Sequence, residues 1–180
     1  MLLPTLRTER LEIRQFVPRD WRDVHAYTSS AEVMTYIPGG AHTEARAQEF
    51  AAENSGEEAE AFAVVHSASQ QLFGHIIFHP WYAEHTYEIG WVFHPAYYRQ
   101  GFATEAAAAL RDYGFAEMKL HRLIATCQPE NEPSWRIMKR LGMRREAWFR
   151  GGLLQPDGRW WDEYFYAMLD DEWAAQTVQR

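Results

Sequence analysis

The sequence predicts a mixed α/β (α+β) fold, with helices on the faces of a mixed sheet, and three observations predict it. Apolar residues switch between period-2 and period-3.6 spacing in the order β-α-α-β-β-β-α-β-α-β-β, which gives seven strands. Three of those strands are consecutive, and a strand–helix–strand crossover follows, so both antiparallel and parallel neighbours are expected. The chain has 180 residues, 47% of them hydrophobic and 24% charged, which fits one domain, 1–180, with a full-sized core.

The first strand is expected from Arg10, where Leu11, Ile13 and Phe16 mark the apolar positions. Pro18 and Asp20 open a helix to about Ser29, with Trp21, Val24 and Tyr27 on one face. A short helical turn is expected over Ala31 to Tyr36, and Ile37-Pro38-Gly39-Gly40 breaks it. Thr43 is a good N-cap for a second helix ending near Gly56; Arg46 three residues on means there is no capping box. Ala61 to His66 and Leu72 to His79 read as two strands joined by a hairpin-length connection, with a loop from Pro80 to His85.

The central stretch follows. Tyr87, Ile89, Trp91 and Phe93 alternate with Glu88, Gly90 and Val92, the pattern of a half-buried strand. Pro95 stops it, Gly101 allows a tight backbone approach, and apolar positions 103, 106, 107, 110 and 114 form one stripe of a long helix. Arg122 to Gln128 is the next strand, ended by Pro129. Asn131 begins another helix, with Pro133 in its first turn, Lys139 and Arg140 in its last, and Gly142 just beyond. Met143 to Phe149 and Trp160 to Met168 form a final strand pair. Gly151-Gly152 and Pro156-Asp157-Gly158 are the turn signals between them, and Asp170 to Val178 is a terminal helix.

Composition excludes several classes of function. The net charge is −7 and the Lys and Arg residues are scattered, so no nucleic-acid face is expected. No run of about 18 apolar residues is present, so no membrane span is expected. MLLPTLRTER has neither a long apolar segment nor a small-residue cleavage site, so no signal peptide is expected and a cytoplasmic location is. The single cysteine, Cys127, rules out an internal disulfide, suits a reducing compartment and reads as a small core residue rather than a nucleophile.

Two segments carry candidate chemistry. A Gly-containing loop feeding a helix N-terminus presents unpaired N–H groups and partial positive charge, a natural phosphate site. The same segment also reads as an ordinary strand–loop–helix connection. It is neither common nucleotide fingerprint: no Gly-Lys pair exists for a P-loop, and the region lacks G-x-G-x-x-G. In the second segment, Ser134 shares its helix stripe with Ile137, Met138 and Leu141. Its hydroxyl therefore faces inward and needs a partner, which could be its own helix backbone or a ligand. His75 and His79 share a strand face with His85 nearby, but no Cys pair and no H-E-x-x-H pattern accompanies them, so no metal site is expected.

The run R-Q-G-F-A-T-E-A resembles the pyrophosphate loop of the GNAT acyltransferase superfamily, written Q/R-x-x-G-x-G/A. Gly101 and Ala103 match, and Tyr98 stands where Gln or Arg is usual. HRLIATCQPENEPSWRIMKRLGMRREAWFR, TERLEIRQF and RWWDEYFYAMLDDEW resemble the RimJ/RimL-like branch, so the likeness covers nearly the whole chain. It implies the GNAT acyl-CoA N-acyltransferase fold, a mostly antiparallel sheet of about seven strands flanked by helices. It also implies transfer of an acetyl group from acetyl-CoA to a primary amine, a peptide N-terminus or a small molecule. A non-catalytic acyl-CoA-binding module is the alternative.

Further expectations follow from that resemblance. Glu88 is the general base, with His85 or His94 as substitutes; the bland reading of Glu88 is a structural carboxylate. A backbone N–H near Val92 and Phe93 serves the oxyanion, and Ser134 serves the leaving thiolate. Asn131 bonds the pantetheine amides or positions the loop, and the backbone N–H groups of Arg99, Gln100, Gly101, Phe102, Ala103 and Thr104 hold the pyrophosphate, with the Arg99 charge near enough to help. The cofactor is expected where the Thr86–Phe93 strand leaves the Arg122–Gln128 strand. Acceptors are expected over Ile37–Gly40 and Gly151–Arg159. A homodimer through the aromatic-rich C-terminal strand is also implied.

Overall fold

The structure, a computed structural model, describes residues 3–155 and 157–178. Pro156, one of the expected turn residues, lies outside them. The chain groups into two compact units, one holding residues up to His79 with Gly90–Leu110, the other Pro80–Ile89 with residues from Arg111 onward.

In the first unit the expected N-terminal strand is a hairpin, β1 (Leu6–Arg7) against β2 (Leu11–Arg14). The Leu11 N–H donates to Thr8 Oγ1 at 3.0 Å, which helps turn the chain between them. A 3-10 turn at Pro18–Asp20 leads into α1 (Trp21–Thr28). Asp20 closes that entry: its Oδ2 accepts from Arg14 at 2.7 Å and from the Val17 N–H at 2.9 Å. Residues 31–36 form turns rather than a helix. In α2 (Glu44–Glu53) the Thr43 hydroxyl accepts the Arg46 N–H at 3.2 Å, as the sequence predicts for an N-cap.

α2 stops at Glu53, three residues before Gly56, because Asn54 intervenes. Its amide donates back to the Phe50 carbonyl at 2.8 Å, while its Oδ1 accepts from Glu60 and Ala61 at the head of β3 (Ala61–His66). β3 pairs antiparallel with β2 and with β4 (Leu72–Pro80). Phe16, Val24, Tyr27, Ala63, Val65 and Val92 are among the residues of this unit's core.

β5 (Thr86–Phe93) begins in the second unit and ends in the first. Its expected alternation fails at the far end, where Ile89, Val92 and Phe93 are all buried. Val92 joins the core just described, and the Phe93 ring lies 5.6 Å from that of Phe73. Both sides of the strand are covered there, so period 2 is lost.

α3 (Phe102–Ala116) buries Ala106, Ala107 and Leu110 along the predicted stripe. Its C-terminal part, from Arg111, belongs to the second unit, where the buried Arg111 donates to the Leu141 carbonyl at 2.8 Å. β6 (Arg122–Cys127) pairs parallel with β5 at Thr86↔Arg122, Tyr87↔Leu123 and Glu88↔Ile124. α4 (Glu132–Arg140) follows, then β7 (Arg144–Leu154) and β8 (Trp160–Leu169), and finally α5 (Asp170–Val178). The Phe115 and Trp173 rings stack at 5.6 Å and fasten α5 to α3.

Gly151-Gly152 does not turn the chain, contrary to its sequence signal. β7 runs through it with a register shift between Phe149 and Leu153, and the Gly151 N–H donates to Asp162 Oδ1 at 2.8 Å. The left-handed φ of +56° at Gly151 makes this an irregularity inside the strand, and the turn comes later.

The strands form one eight-stranded sheet in the order β1-β2-β3-β4-β5-β6-β8-β7. Besides the parallel β5–β6 ladder, β1–β2, β2–β3, β3–β4, β6–β8 and β7–β8 are antiparallel. The strand beyond the expected seven is the two-residue β1, too short to show a period.

Candidate active site

In the first unit, an aromatic cluster sets the loop between β5 and α3. Phe73 stacks on Tyr97 at 4.1 Å and meets Phe102 edge-on at 5.2 Å. Tyr97 and Phe102 bracket the loop, so anchoring both rings on one partner fixes its two ends. Gly74 permits the arrangement: a Cβ there would sit 2.5 Å from the Phe93 ring and 2.8 Å from the Val92 carbonyl oxygen.

Between the anchors, Arg99 and Gly101 both have left-handed φ, +60° and +83°. The Glu105 N–H reaches the Gly101 carbonyl at 3.0 Å, so the N–H groups of the preceding residues have no partner one helical turn back. The backbone of Gly101, Phe102, Ala103 and Thr104 thus presents donors at the positive end of α3. Gln100 is tied into the loop through its amide, which donates to the Ala96 carbonyl at 3.0 Å. Tyr98, which replaces the motif's usual Gln or Arg, is 49% exposed. Its hydroxyl pKa is raised, by burial first and then by Glu32.

A brace for this loop was not foreseen. Glu105 lies in the first turn of α3, where a carboxylate near bound phosphate would be unfavourable. Its Oε1 accepts from Thr8 Oγ1 at 2.5 Å and from the Arg10 N–H at 3.1 Å, and its Oε2 accepts from Arg10 Nε at 2.7 Å. Burial pushes the Glu105 carboxyl up, but the bonds from Thr8 and Arg10 and the Arg10 charge outweigh it and hold it below the usual range. Arg10 also donates to the Gln100 carbonyl at 3.0 Å and lies 4.3 Å over the Phe102 ring. TERLEIRQF contains Thr8 and Arg10, but no local pattern links them to a residue 95 positions away.

In the second unit, Glu88 and Ser134 attach to consecutive residues of β6. Thr126 Oγ1 donates to Glu88 Oε1 at 3.2 Å. The next residue, Cys127, points to the other face of the sheet. There the Ser134 hydroxyl and the Trp135 N–H bond its sulfur. Burial pushes the Cys127 thiol up to about 12, well above reach of the thiolate, which agrees with its reading as a core residue. Ser134 is buried on α4 beside Ile137 and Met138, so the inward orientation read from the sequence holds. Its hydrogen-bond partner within the chain is Cys127, seven residues earlier and across a strand–helix junction. Asn131 occupies the N-cap position of α4 without using its side chain as a cap.

Three histidines make local bonds. His75 is buried, its Nδ1 lies 2.8 Å from the Tyr27 hydroxyl, and burial lowers its pKa to about 3. His94 Nδ1 accepts the Ala96 N–H at 3.1 Å and caps the turn Pro95–Tyr97. The His85 carbonyl, at a left-handed φ of +53°, accepts from the His121 and Arg122 N–H groups.

The family profile described as acetyltransferase (GNAT) domain matches residues 10–144. The chain is 53% identical over 169 residues to the uncharacterized N-acetyltransferase YnaD of Bacillus subtilis (strain 168), covering 93% of this chain and 98% of that one. Among solved structures, the acetyltransferase (GNAT family) from Bacillus anthracis superimposes with a TM-score of 0.90 at 51% identity, covering 93% of this chain and 99% of that one. The ribosomal-protein-S5-alanine acetyltransferase from Vibrio fischeri shares the fold, with a TM-score of 0.77 at 20% identity over 95% of this chain and 99% of that one. A sheet with a parallel step at β5–β6, a strand–loop–helix with the Gly101–Ala103 signature, and these matches together place the chain in the GNAT acetyltransferase family.

Proposed function

We propose that the chain is a single-domain N-acetyltransferase, 1–180, that transfers the acetyl group of acetyl-CoA to a primary amine by direct attack in a ternary complex. The observation that carries this is the loop from Tyr98 to Ala103, pinned at both ends and braced by Arg10, which opens the N-terminal donors of α3. A pyrophosphate complements those donors in charge. Gly101 leaves room for its approach, because even a Cβ there would meet only Arg10, at 3.5 Å. Arg99 would add charge, and Asn131, unused as a cap, would bond the pantetheine amides.

Glu88 would accept the proton of the attacking amine, with Thr126 holding its carboxylate in place. As the carbon–nitrogen bond forms, a backbone N–H near Val92 and Phe93 would donate to the carbonyl oxygen. The carbon–sulfur bond then breaks, and Ser134 would give its proton to the departing sulfur and regain one from solvent, while Glu88 releases the amine's proton to solvent. At rest the Ser134 hydroxyl donates to the Cys127 sulfur, and it would turn from that sulfur to the leaving one. The balance is one amide and one thiol formed from one amine and one thioester. The single buried cysteine suits the cytoplasm. Trp148, Leu154 and Trp160 are exposed on β7 and β8, which fits self-association through this strand pair.

The test is thiol release from acetyl-CoA against a panel of amines, with Glu88→Gln beside the wild type. The variant is expected to lose at least about 100-fold in kcat/KM while calorimetry shows unchanged coenzyme A binding. Coenzyme A binding without amine-dependent thiol release from the wild type would instead make the chain an acyl-CoA-binding module.

A further inference from the structure

On the sheet face that carries Glu88, the second unit holds a cavity of about 420 Å³ that no step of the proposed reaction uses. Thr86 lines it and lies two residues before Glu88, so the two side chains share a face of β5. Phe165 forms its wall and is the cross-strand partner of Thr126, the residue that bonds Glu88. The cavity thus lies beside the proposed base, two residues along β5 and one strand beyond β6 on the same face. Two residues of strand rise roughly 7 Å and two strand spacings span roughly 10 Å, which sets the reach from Glu88 to the cavity.

Four aromatic rings, an ion pair and a threonine line it. Trp81 lies 5.4 Å from Phe165 and 4.0 Å from Tyr82, and Phe149 meets Phe165 edge-on at 6.1 Å. Tyr82 is 84% exposed and Phe149 47%, so two rings at the rim lack cover. The charges at the site are already matched. Arg122 pairs with Glu146, Glu146 also takes Arg144 at 2.5 Å, and Arg144 pairs with Glu172. Two cations and two carboxylates cancel, so a charged tail finds no net opposite charge there, whereas an apolar ring finds ring edges and faces.

We propose that this cavity is an acceptor subsite that takes an apolar ring, tethered three to five bonds from the primary amine that is acetylated at Glu88. The assignment rests on Glu88 as the base. The ring belongs either to a free arylalkylamine or to the second side chain of a peptide with a free N-terminus, and the chemistry recognised is the same.

Thiol release from acetyl-CoA tests it with phenylalkylamines of one to five methylenes, the matching n-alkylamines, spermidine, and Gly-Phe-amide beside Gly-Gly-amide. The best phenylalkylamine is expected to exceed its n-alkyl counterpart by about 10- to 100-fold in kcat/KM, mainly through KM. Phe149→Ala is expected to reduce that ratio below about threefold. Tyr82→Ala, at an exposed loop position where folding is not at stake, lowers it in the same direction. A ring preference seen only between the two dipeptide amides identifies a peptide as the source; one seen only among the phenylalkylamines identifies a free amine. Turnover of alkylamines or spermidine with no ring preference overturns the subsite and leaves acetyl transfer standing. If no amine is turned over, calorimetry with 3-phenylpropylamine decides. Binding that Phe149→Ala abolishes upholds the subsite and removes the acetyl-transfer reading, and absence of binding overturns both.

Discussion

Arg10→Leu tests the brace beneath the loop. The substitution removes a two-nitrogen bond to Glu105, at 2.7 and 2.5 Å, a bond to the Gln100 carbonyl, and a guanidinium 4.3 Å over Phe102. Charge-assisted bonds contribute about 1.5–3 kcal/mol when shielded, and a cation–π contact about 0.5–1 kcal/mol. The Arg10 side chain is 39% exposed and that of Glu105 19%, so solvent screening reduces the sum to about 2 kcal/mol. For a chain of this size that is a fall of about 4–8 °C in Tm. A second effect falls on coenzyme A. Glu105 becomes an uncompensated charge in the first turn of α3. At roughly 7 Å from bound phosphate and an effective dielectric of about 40, it costs roughly 1.2 kcal/mol, or about tenfold in Kd. Calorimetry at low salt measures this, and higher salt shrinks it. Adding Glu105→Gln to Arg10→Leu is expected to restore the Kd but not the Tm. A Kd for Arg10→Leu within twofold of the wild type would refute the brace, and a double variant as weak as the single would refute the charge argument.

Thr126→Val removes a donor from the Glu88 carboxylate, so the acidic limb of the kcat/KM profile is expected to move to higher pH. The loss is about three- to tenfold at the acidic end, with coenzyme A binding unchanged and rescue by Thr126→Ser. His75 has a folded pKa lowered to about 3, so the unfolded chain binds the extra proton below about 6.5. Stability from this site is present above that value and is lost as pH falls toward 3, by up to about 1.4 kcal/mol per pH unit. His75→Gln should flatten the denaturation midpoint between pH 6.5 and 5, measured by urea titration. Cys127 is expected to resist iodoacetamide in the native protein at pH 8 and to react after unfolding, read by mass spectrometry.

What was legible in the sequence is what local periodicity and local breakers encode. β3 at Ala61–His66 and α5 at Asp170–Val178 follow their patterns residue for residue, and Thr43 caps α2 as its chemistry requires. Gly151-Gly152 misled because two glycines signal a turn equally well when they irregularise a strand, and only pairing across to Asp162 separates the cases. The Asn54 cap, which shortens α2, depends on a bond to Ala61 seven residues away. In the candidate site, spacing and resemblance single out Glu88, Ser134 and the Gly101 loop. They do not single out the supports. Thr126 is 38 residues from Glu88 and Arg10 is 95 from Glu105, and such pairings exist only once the sheet has registered.

β6 has one further consequence. Thr126 and Cys127 are neighbours, and the alternation of the strand sends one to Glu88 and the other to Ser134. A slip of one residue between β6 and β8 would exchange their faces, presenting a thiol to the carboxylate and a β-branched alcohol to the serine. The six paired positions from Arg122↔Leu169 to Cys127↔Tyr164 hold against that slip. Insertions and deletions should therefore be tolerated in the Gln155–Arg159 connection and not within Arg122–Cys127. There a single added codon would displace the partners of Glu88 and Ser134 at once, without altering either residue.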